Sequence, residues 1–469
     1  MKKMTYFIIV VTFLTGSVWA SDTVDLVVLH INDTHGKLSP YNLGGHNIGG
    51  IGRLSTLVKQ VRAENPERVL LLHAGDIFSR GEPVVIYTGG YVNLLAFEKM
   101  GFDAITPGNG EFYFGIENLK RQTSRVSTPF VHANVTYKHH DGPIFPPYLI
   151  KEVQGVKVGI LGLGLIRPWH QSSQMLRLHD AVETAKQYMP ELRPKVDFLI
   201  ALTHIGVKND SLLAAAVPEL DLIVGGDTHT RLNTPSRIAR ANGNGSVAIV
   251  QARHYYQFLG RVDVQLQKAA RGYRVMRLNG KLLPLKEVIA RDAEIEALID
   301  EYTKPLDEVI CRTERDLPNA RDERSALGDL VGQAVLEQTR ADVAILERNG
   351  DTHGVAAGDI SLNDIYRLRQ YRPPVMLTRL SRDQILAVLE ARMYLTAGCS
   401  FERGDKTISN LKIGAKPDSA GTYLVAMERQ VAFRHFLRDA ASDSVVFDFT
   451  GQRVDTALER YLRDVKIIR

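Results

Sequence analysis

The chain has 469 residues, 44% of them hydrophobic, and a formal net charge of +5. This length predicts two domains or more, and the ordinary apolar fraction indicates a globular protein rather than a disordered or fibrous one. The mild charge comes without a lysine or arginine stripe, which argues against a dedicated nucleic-acid-binding protein. The only cysteines, Cys311 and Cys399, exclude a disulfide-rich scaffold and leave a single disulfide between them open.

The first twenty residues have the pattern of a secretory signal peptide. Lys2 and Lys3 precede an apolar run over 7–14, and Val18-Trp19-Ala20 fits a small-x-small cleavage site. The run is too short to span a bilayer and no comparable stretch follows it, so we expect no membrane span. The sequence therefore predicts export of the protein through a signal peptide over 1–20, with the periplasm as its destination.

Beyond this segment, apolar strand-like runs alternate with segments of helical spacing. The alternation predicts an α/β layered domain, in which functional groups gather where strands end and loops begin. Residues 53–63 and 92–100 have helical spacing. The predicted strands cover residues 26–31, 69–73, 103–106, 131–134, 156–162, 197–202 and 221–224.

Side chains able to bind a metal follow the ends of these strands. Asp33 and His35 stand two positions apart after the first strand, so an extended backbone directs both toward the same point. Asp and Asn are common in turns, so each position alone has an ordinary structural explanation. Together the residues predict a shared metal centre. The other members of the set are Asp76, Asn109, His204, Asp227 and His229.

The predicted centre offers carboxylate, imidazole and amide groups and no thiolate, a set that suits manganese, zinc or iron. It has more ligands than one tetrahedral ion needs. Two divalent ions about 3.5–4 Å apart, bridged by a carboxylate, would use them all. Such a pair activates water near neutral pH and stabilises the charge on a phosphoryl group under attack. The residues therefore predict hydrolysis of a phosphoester.

Six short motif-like segments follow one another in the chain, and five of them carry these residues. They are H-I-N-D-T-H-G (30–36), H-A-G-D-I-F-S-R-G (73–81), P-G-N-G-E-F (107–112), A-N-V (133–135), T-H-I-G (203–206) and V-G-G-D-T-H-T (224–230). The series resembles the motifs of the calcineurin-like metallophosphoesterases, and specifically those of the periplasmic and surface 5′-nucleotidase family. The resemblance implies that Asp33 and His35 bind a first divalent ion and that Asp76 bridges two ions. It also implies that Asn109 and His204 bind the second ion.

Two departures from the family pattern affect this centre. The last motif of the family is usually Gly-Gly-His-x-His or Gly-Gly-His-x-Gln, and here Asp227 takes its first ligand position and His229 its second. The family segment Gly-Asn-His-Glu-Phe-Asp carries a catalytic His–Asp dyad, which Gly110 and Tyr113 replace here. Loss of such a group typically costs about 10²–10⁴-fold in rate. The residues that could substitute for the missing histidine are His132, His139 and His140.

The resemblance continues, more weakly, into the second half of the chain. Residues 290–310 have helical spacing and predict a connecting helix, and Ala357-Gly358-Asp359-Ile360 resembles a segment of the family's C-terminal domain. In the family that domain supplies arginines to the substrate and two aromatic side chains to the base. The resemblance implies stacking by Tyr371 and phosphate binding by Arg372 or Arg369, although each is equally compatible with a plain surface residue.

We therefore expect a signal peptide (1–20), a layered α/β metallophosphoesterase sandwich (21–285), a linker helix (286–315) and a mixed α/β substrate-binding domain (316–469). The expected function is that of an exported two-metal phosphoesterase that hydrolyses phosphate or pyrophosphate esters of nucleotides. One alternative is a family member with impaired catalysis that still binds metal and ligand. The other is a dinuclear-metal hydrolase that acts on a non-nucleotide ester.

Overall fold

The computed structural model describes residues 23–469 except 140–141, 241–242, 244, 271, 320–324, 349–353, 369–373, 406 and 439–444. Several predictions fall outside this part of the chain. They concern the signal peptide over 1–20, the dyad substitute His140 and the substrate residues Arg369, Tyr371 and Arg372. Within the described residues, no helix has the length and apolar character needed to cross a membrane.

The first domain contains strands β1–β15 and helices α1–α6. The strands are β1 (Thr23–Ile31), β2 (Tyr41–Leu43), β3 (His46–Ile48), β4 (Val69–His73), β5 (Ala104–Ile105), β6 (Val135–Tyr137), β7 (Tyr148–Val153), β8 (Val156–Leu163), β9 (Leu176–Leu178), β10 (Phe198–Thr203), β11 (Leu222–Val224), β12 (Ser236–Ala239), β13 (Ser246–Val250), β14 (Phe258–Lys268) and β15 (Tyr273–Pro284). The helices are α1 (Ile51–Glu64), α2 (Pro83–Thr88), α3 (Tyr91–Met100), α4 (Ile116–Thr123), α5 (Ala181–Leu192) and α6 (Val207–Ala216).

These strands form two stacked sheets, with the order β15-β14-β1-β4-β5 in one and β12-β13-β11-β10-β8-β7 in the other. Alternate residues of β1 point to opposite faces. Leu26 and Val28 pack with Ile200 in the layer between the sheets, whereas Leu29 packs with Leu54 of α1 on the outer side. Helices α5 and α6 cover the outer face of the second sheet. The result is an α/β/β/α sandwich, as predicted.

Parallel strands place the predicted ligands at one edge of the sandwich. Strand β1 runs parallel to β4, and β10 runs parallel to both β8 and β11. The loops that leave their carboxyl ends therefore meet. One predicted strand is not observed: residues 131–134 lie between an isolated bridge at Phe130 and the start of β6.

The second domain contains the remaining elements. The strands are β16 (Val309–Thr313), β17 (Val343–Leu346), β18 (Gly358–Ser361), β19 (Pro374–Ser381), β20 (Leu395–Ala397), β21 (Cys399–Arg403), β22 (Ile408–Ile413), β23 (Thr422–Glu428), β24 (Asp448–Arg453) and β25 (Ile467–Ile468). The helices are α7 (Ala293–Thr303), which joins the domains, α8 (Ala326–Thr339), α9 (Leu362–Leu368), α10 (Arg382–Ala391), α11 (Arg429–Ala432) and α12 (Val454–Val465).

Helix α7 is shorter than the expected linker helix over 286–315. The side chain of Asp292 accepts a hydrogen bond from the Glu294 N–H at its start, and Pro305, which has no N–H to donate, lies just beyond its end. The chain then enters β16, which pairs with β18 and β25. Cys311 in β16 and Cys399 in β21 form no disulfide with each other.

The main sheet of the second domain has the order β20-β17-β23-β19-β24. One continuous apolar cluster runs from the helices of the first sheet, through Leu306, to Val331 of α8 and Ile365 of α9. The rings of Tyr87 and Tyr366 meet across the two domains with centroids 5.5 Å apart. The domains therefore pack on each other over a shared core.

Candidate metal centre

Strained loops hold the predicted ligands. Asp33, His35, Asp76, Asp227 and His229 all have positive φ angles, between 48° and 75°. This left-handed region is uncommon for residues other than glycine, and such strain tends to occur at functional sites. Backbone hydrogen bonds join two of these loops: the Asp33 N–H donates to the Gly75 carbonyl at 2.9 Å, and the His35 N–H donates to the Asp76 carbonyl at 2.8 Å.

The side chains converge in two groups that share Asp33. One group contains Asp33, His35 and His229, and the other contains Asp33, Asp76 and His204; in each, the possible ligand atoms all lie within 4.8 Å of one another. In the first group, the Nε2 atoms of His35 and His229 are 3.0 Å apart. In the second, Nε2 of His204 is 3.3 Å from Oδ1 of Asp76 and 3.9 Å from Oδ1 of Asp33.

Two buried atoms at the meeting point of the groups have no hydrogen-bond partner among the described residues. They are Oδ1 of Asp33 and Nε2 of His204, and both side chains are fully buried. A buried polar atom without a partner is costly. An oxygen and an imidazole nitrogen directed at one point are suitable ligands for a divalent cation. The residues therefore fit the predicted metal centre, although Asp33, and not Asp76, belongs to both groups.

The remaining predicted ligands adjoin the second group. With its amide oriented to suit its neighbours, Asn109 donates to Oδ1 of Asp227 at 3.2 Å. Oδ1 of Asp227 also lies 2.8 Å from Nη2 of Arg167 and 4.0 Å from Nε2 of His204. The structure thus brings all seven predicted ligands into one cluster.

Opposed charges shift pKa values within the cluster. Burial alone would lower the pKa of His204, but the carboxylates of Asp76 and Asp33 outweigh it and hold that pKa well above its usual value. Burial alone would raise the pKa of Asp76, but His204 and then His35 hold it well below its usual range. The cluster carries an excess of carboxylates in a buried site, and a divalent cation would balance that charge.

Glu111 shapes the Asp76 loop and was not among the predicted site residues. Its carboxylate accepts hydrogen bonds from the backbone N–H groups of Asp76, Ile77 and Phe78, and of Gly108, at 2.5–3.1 Å. Burial, and then the charge of Asp76, raise the pKa of Glu111 to about 7. Glu111 lies within the motif segment 107–112, but the sequence alone does not show that its carboxylate binds the backbone of the Asp76 loop, 33–35 positions earlier.

Gly110 provides a close backbone approach to Asp76. Its N–H donates to Oδ1 of Asp76 at 2.5 Å. A Cβ atom at this position would lie 2.5 Å from Oγ of Ser79 and 2.9 Å from Oδ1 of Asp76. Because of this crowding, a larger residue could enter only if its neighbours moved.

The predicted dyad substitutes and Tyr113 have different surroundings. His132 is fully buried, with its ring centroid 6.4 Å from that of Phe112, while His139 is exposed. Tyr113 packs instead against His170, with ring centroids 4.1 Å apart. Sequence reasoning missed His170, because it lies in the loop after β8 and not directly after a strand end.

An arginine of the second domain reaches the same loop. Arg429 donates from Nε to the carbonyl oxygen of Trp169 at 3.0 Å and from Nη2 to that of His170 at 3.3 Å. Its side chain is only 4% exposed, and burial lowers its pKa to about 10. The second domain therefore contacts the wall of the centre at a loop that the sequence did not single out.

Comparisons with known proteins agree with this geometry. The model of the calcineurin-like phosphoesterase family matches residues 26–231, and that of the 5′-nucleotidase C-terminal domain matches residues 302–432. A 5′-nucleotidase of Vibrio cholerae is 26% identical, with 85% of this chain and 83% of that protein covered. A trifunctional nucleotide phosphoesterase protein of Bacillus subtilis is 28% identical over 78% of this chain, which spans only 27% of that protein.

A solved structure has the same fold. The crystal structure of a 5′-nucleotidase precursor from Thermus thermophilus aligns with a TM-score of 0.65 and 24% identity, over 95% of this chain and 97% of that one. Both the sandwich and the second domain are therefore arranged as in that protein.

Proposed function

Since the chain belongs to the calcineurin-like phosphoesterases and carries the C-terminal domain of the 5′-nucleotidases, we propose that it is an exported phosphoesterase that hydrolyses nucleotides with two divalent ions. Members of this family are metal-dependent hydrolases of phosphoric esters. The names of the similar proteins point to nucleotide substrates. The proposal adds three points to this family activity: nucleotides as substrates, export from the cytoplasm and two bound ions.

The observation that carries the proposal is the pair of ligand groups that share Asp33. His35 and His229 would complete the site of one ion, and Asp76 and His204 the site of the other. The ligands that adjoin the second site are Asn109 and Asp227. Divalent ions bound there would supply Lewis acidity to a phosphoryl group and to water.

The protein's own residues prepare this site. Glu111 fixes the loop of Asp76 through four backbone N–H groups, and Oγ of Ser79 lies 3.0 Å from Nδ1 of His35. A hydrogen bond on the far nitrogen of an imidazole sets which nitrogen faces a metal. Site residues held in this manner need little rearrangement when a substrate arrives.

The test is the initial rate of hydrolysis of AMP, ATP, a UDP-sugar and p-nitrophenyl phosphate with added manganese. Asp76→Ala is the blank. Asp25→Ala, which changes an exposed residue near the start of β1, is the matched control. We expect the wild type and the control to hydrolyse at least one nucleotide well above the blank.

Other results would select the alternatives. Equal rates for wild type and blank on every ester would contradict the proposal and favour a binding protein. Hydrolysis of p-nitrophenyl phosphate without any nucleotide would favour a different ester as substrate.

A further inference from the structure

The loop after β8 lines the metal centre from one side. Nη2 of Arg167 lies 2.8 Å from Oδ1 of Asp227. Three residues later, the His170 ring packs on Tyr113, which belongs to the helical turn Gly110–Phe114 directly after Asn109. Two points of the loop thus touch residues of the cluster or their immediate neighbours.

The imidazole of His170 is buried without any hydrogen bond. It is 3% exposed, and neither ring nitrogen has a partner among the described residues. Burial lowers the pKa of His170 to about 3, although the charge of Asp76 opposes the shift. The ring is therefore neutral near pH 7, with one N–H to donate and one nitrogen to accept.

His132 also lacks hydrogen bonds on both ring nitrogens, but its position differs. It is 0% exposed, and Nε2 lies only 2.6 Å from the point where a Cβ on Gly164 would be. His170 instead belongs to a loop whose neighbours Arg167 and Trp169 are partly exposed. His170 therefore lies next to partly exposed chain, whereas His132 is enclosed.

We propose that His170 donates its ring N–H to an oxygen of the phosphoryl group bound at the metal centre. This inference rests on the proposed function and adds a catalytic residue to it. A phosphoryl group under attack gains from fixed donors in a site that excludes water. A neutral histidine can serve as such a donor, as in triosephosphate isomerase.

The other histidines of the centre are already engaged. His35 faces His229 and Ser79, and Nδ1 of His204 bonds to the Ala74 carbonyl. Gly110 contributes no side chain. His254, whose ring centroid lies 4.6 Å from that of His229, also has an unpartnered Nδ1, but its Nε2 lies 3.4 Å from Nε2 of Gln257. Apart from the enclosed His132, His170 is the described histidine of this region without a hydrogen bond on either ring nitrogen.

The second domain fixes the position of this histidine. Arg429 holds the carbonyl oxygens of Trp169 and His170, and the ring of Phe433 packs on Trp169 with centroids 6.5 Å apart. We assign Arg429 as a positioning residue, because it contacts the backbone of the loop and not the ring.

The first experiment measures the binding of inorganic phosphate to the manganese-loaded protein by calorimetry. His170→Ala should raise the Kd for phosphate by about tenfold, the effect of losing a hydrogen bond to a charged group. His170→Gln, which keeps an N–H donor, should recover part of the affinity. His179→Ala is the matched control, because this exposed histidine bonds to Thr136, away from the centre.

The second experiment compares kcat/KM for AMP and for p-nitrophenyl phosphate. The bonded oxygen belongs to the transferred group, so His170→Ala should lower kcat/KM by a similar factor for both esters. A loss confined to AMP would assign His170 to the leaving group and overturn the inference.

Three further outcomes separate this inference from the proposed function. If the wild type hydrolyses esters but His170→Ala binds phosphate with unchanged Kd, the inference is wrong and the function stands. If the wild type neither binds phosphate nor hydrolyses any ester, both are wrong. If the wild type binds phosphate without hydrolysis and His170→Ala weakens that binding, the inference holds and the function fails.

Discussion

The two domains contribute to the centre in different ways. The first domain supplies all seven candidate ligands from loops at the ends of parallel strands, and short backbone hydrogen bonds connect those loops. The second domain contacts the surrounding loops through Arg429, which donates to carbonyl oxygens of the loop after β8, and through Arg453, which donates from Nη2 to the Phe114 carbonyl at 3.2 Å. Binding of metal should therefore depend on the first domain alone, whereas placement of the substrate should depend on both.

The largest expected effect concerns Asp33, the residue that belongs to both ligand groups. Asp33→Ala should reduce bound manganese to fewer than one ion per chain and lower hydrolysis by about 10³-fold or more, since each ion contributes several kcal/mol. His229→Ala should remove only one ion, because His229 belongs to one group. Metal content by mass spectrometry checks this, and equal losses in both variants would contradict it.

Acid should destabilise the first domain before the second. Burial lowers the pKa values of four first-domain histidines to about 3. They are His30, His73, His132 and His170. Their stabilising contribution is complete above pH 6.5 and is lost as the pH falls, because the unfolded chain binds protons that the folded chain does not. Each histidine should contribute a slope of about 1.4 kcal/mol per pH unit between pH 6 and pH 4. The four together outweigh the opposite contribution of Glu111 and Asp210, whose pKa values burial raises to about 7.

Urea unfolding of the metal-free protein between pH 7 and pH 4 measures this slope. Replacing one of the four, as in His132→Gln, should reduce it, and His179→Ala should leave it unchanged. Hydrogen exchange should show opening in the first domain first. In the second domain burial also lowers the pKa of His435, but this side chain is only partly buried. Local unfolding in acid that began in the second domain would contradict the expected difference between the two domains.

A smaller effect is expected at the contact between the domains. Arg429→Ala should lower kcat/KM by about tenfold, because it removes two charge-assisted hydrogen bonds to the loop of His170. Its metal content should stay that of the wild type. Arg463→Ala removes an exposed pair with Glu308 and should change little. A loss of metal in Arg429→Ala would show that the second domain also supports the ligands.

The smallest effect concerns Gly110. Gly110→Ala places a Cβ against Ser79 and Asp76, and this overpacking should cost about 1 kcal/mol of stability and weaken manganese binding a few-fold. Ser79→Gly in the same chain should restore stability but not manganese binding, because it also removes the hydrogen bond between Oγ of Ser79 and Nδ1 of His35; thermal unfolding and metal titration measure the two. Unchanged binding in Gly110→Ala would mean that the Asp76 loop yields more easily than its hydrogen bonds to Glu111 suggest.

The same contrast between domains explains what could be predicted from the sequence. The layered sandwich follows from apolar strand-like runs that alternate with segments of helical spacing, and the candidate ligands lie in the loops that follow such runs, as Asp33 follows β1 and His204 follows β10. His170 and Arg429 contact each other across 259 positions in the chain. No local pattern marks a partnership that only the packing of two domains creates.

The left-handed backbone at five of the candidate ligands has a consequence for the order of folding and loading. Each such residue costs of order 1–3 kcal/mol relative to a relaxed backbone, and the sandwich must bear that cost before any ion arrives. Replacing Asp227 or His229 with glycine would remove the backbone strain and the candidate ligand at the same time. Screening this chain for heat resistance alone should therefore tend to enrich variants that have lost their metal.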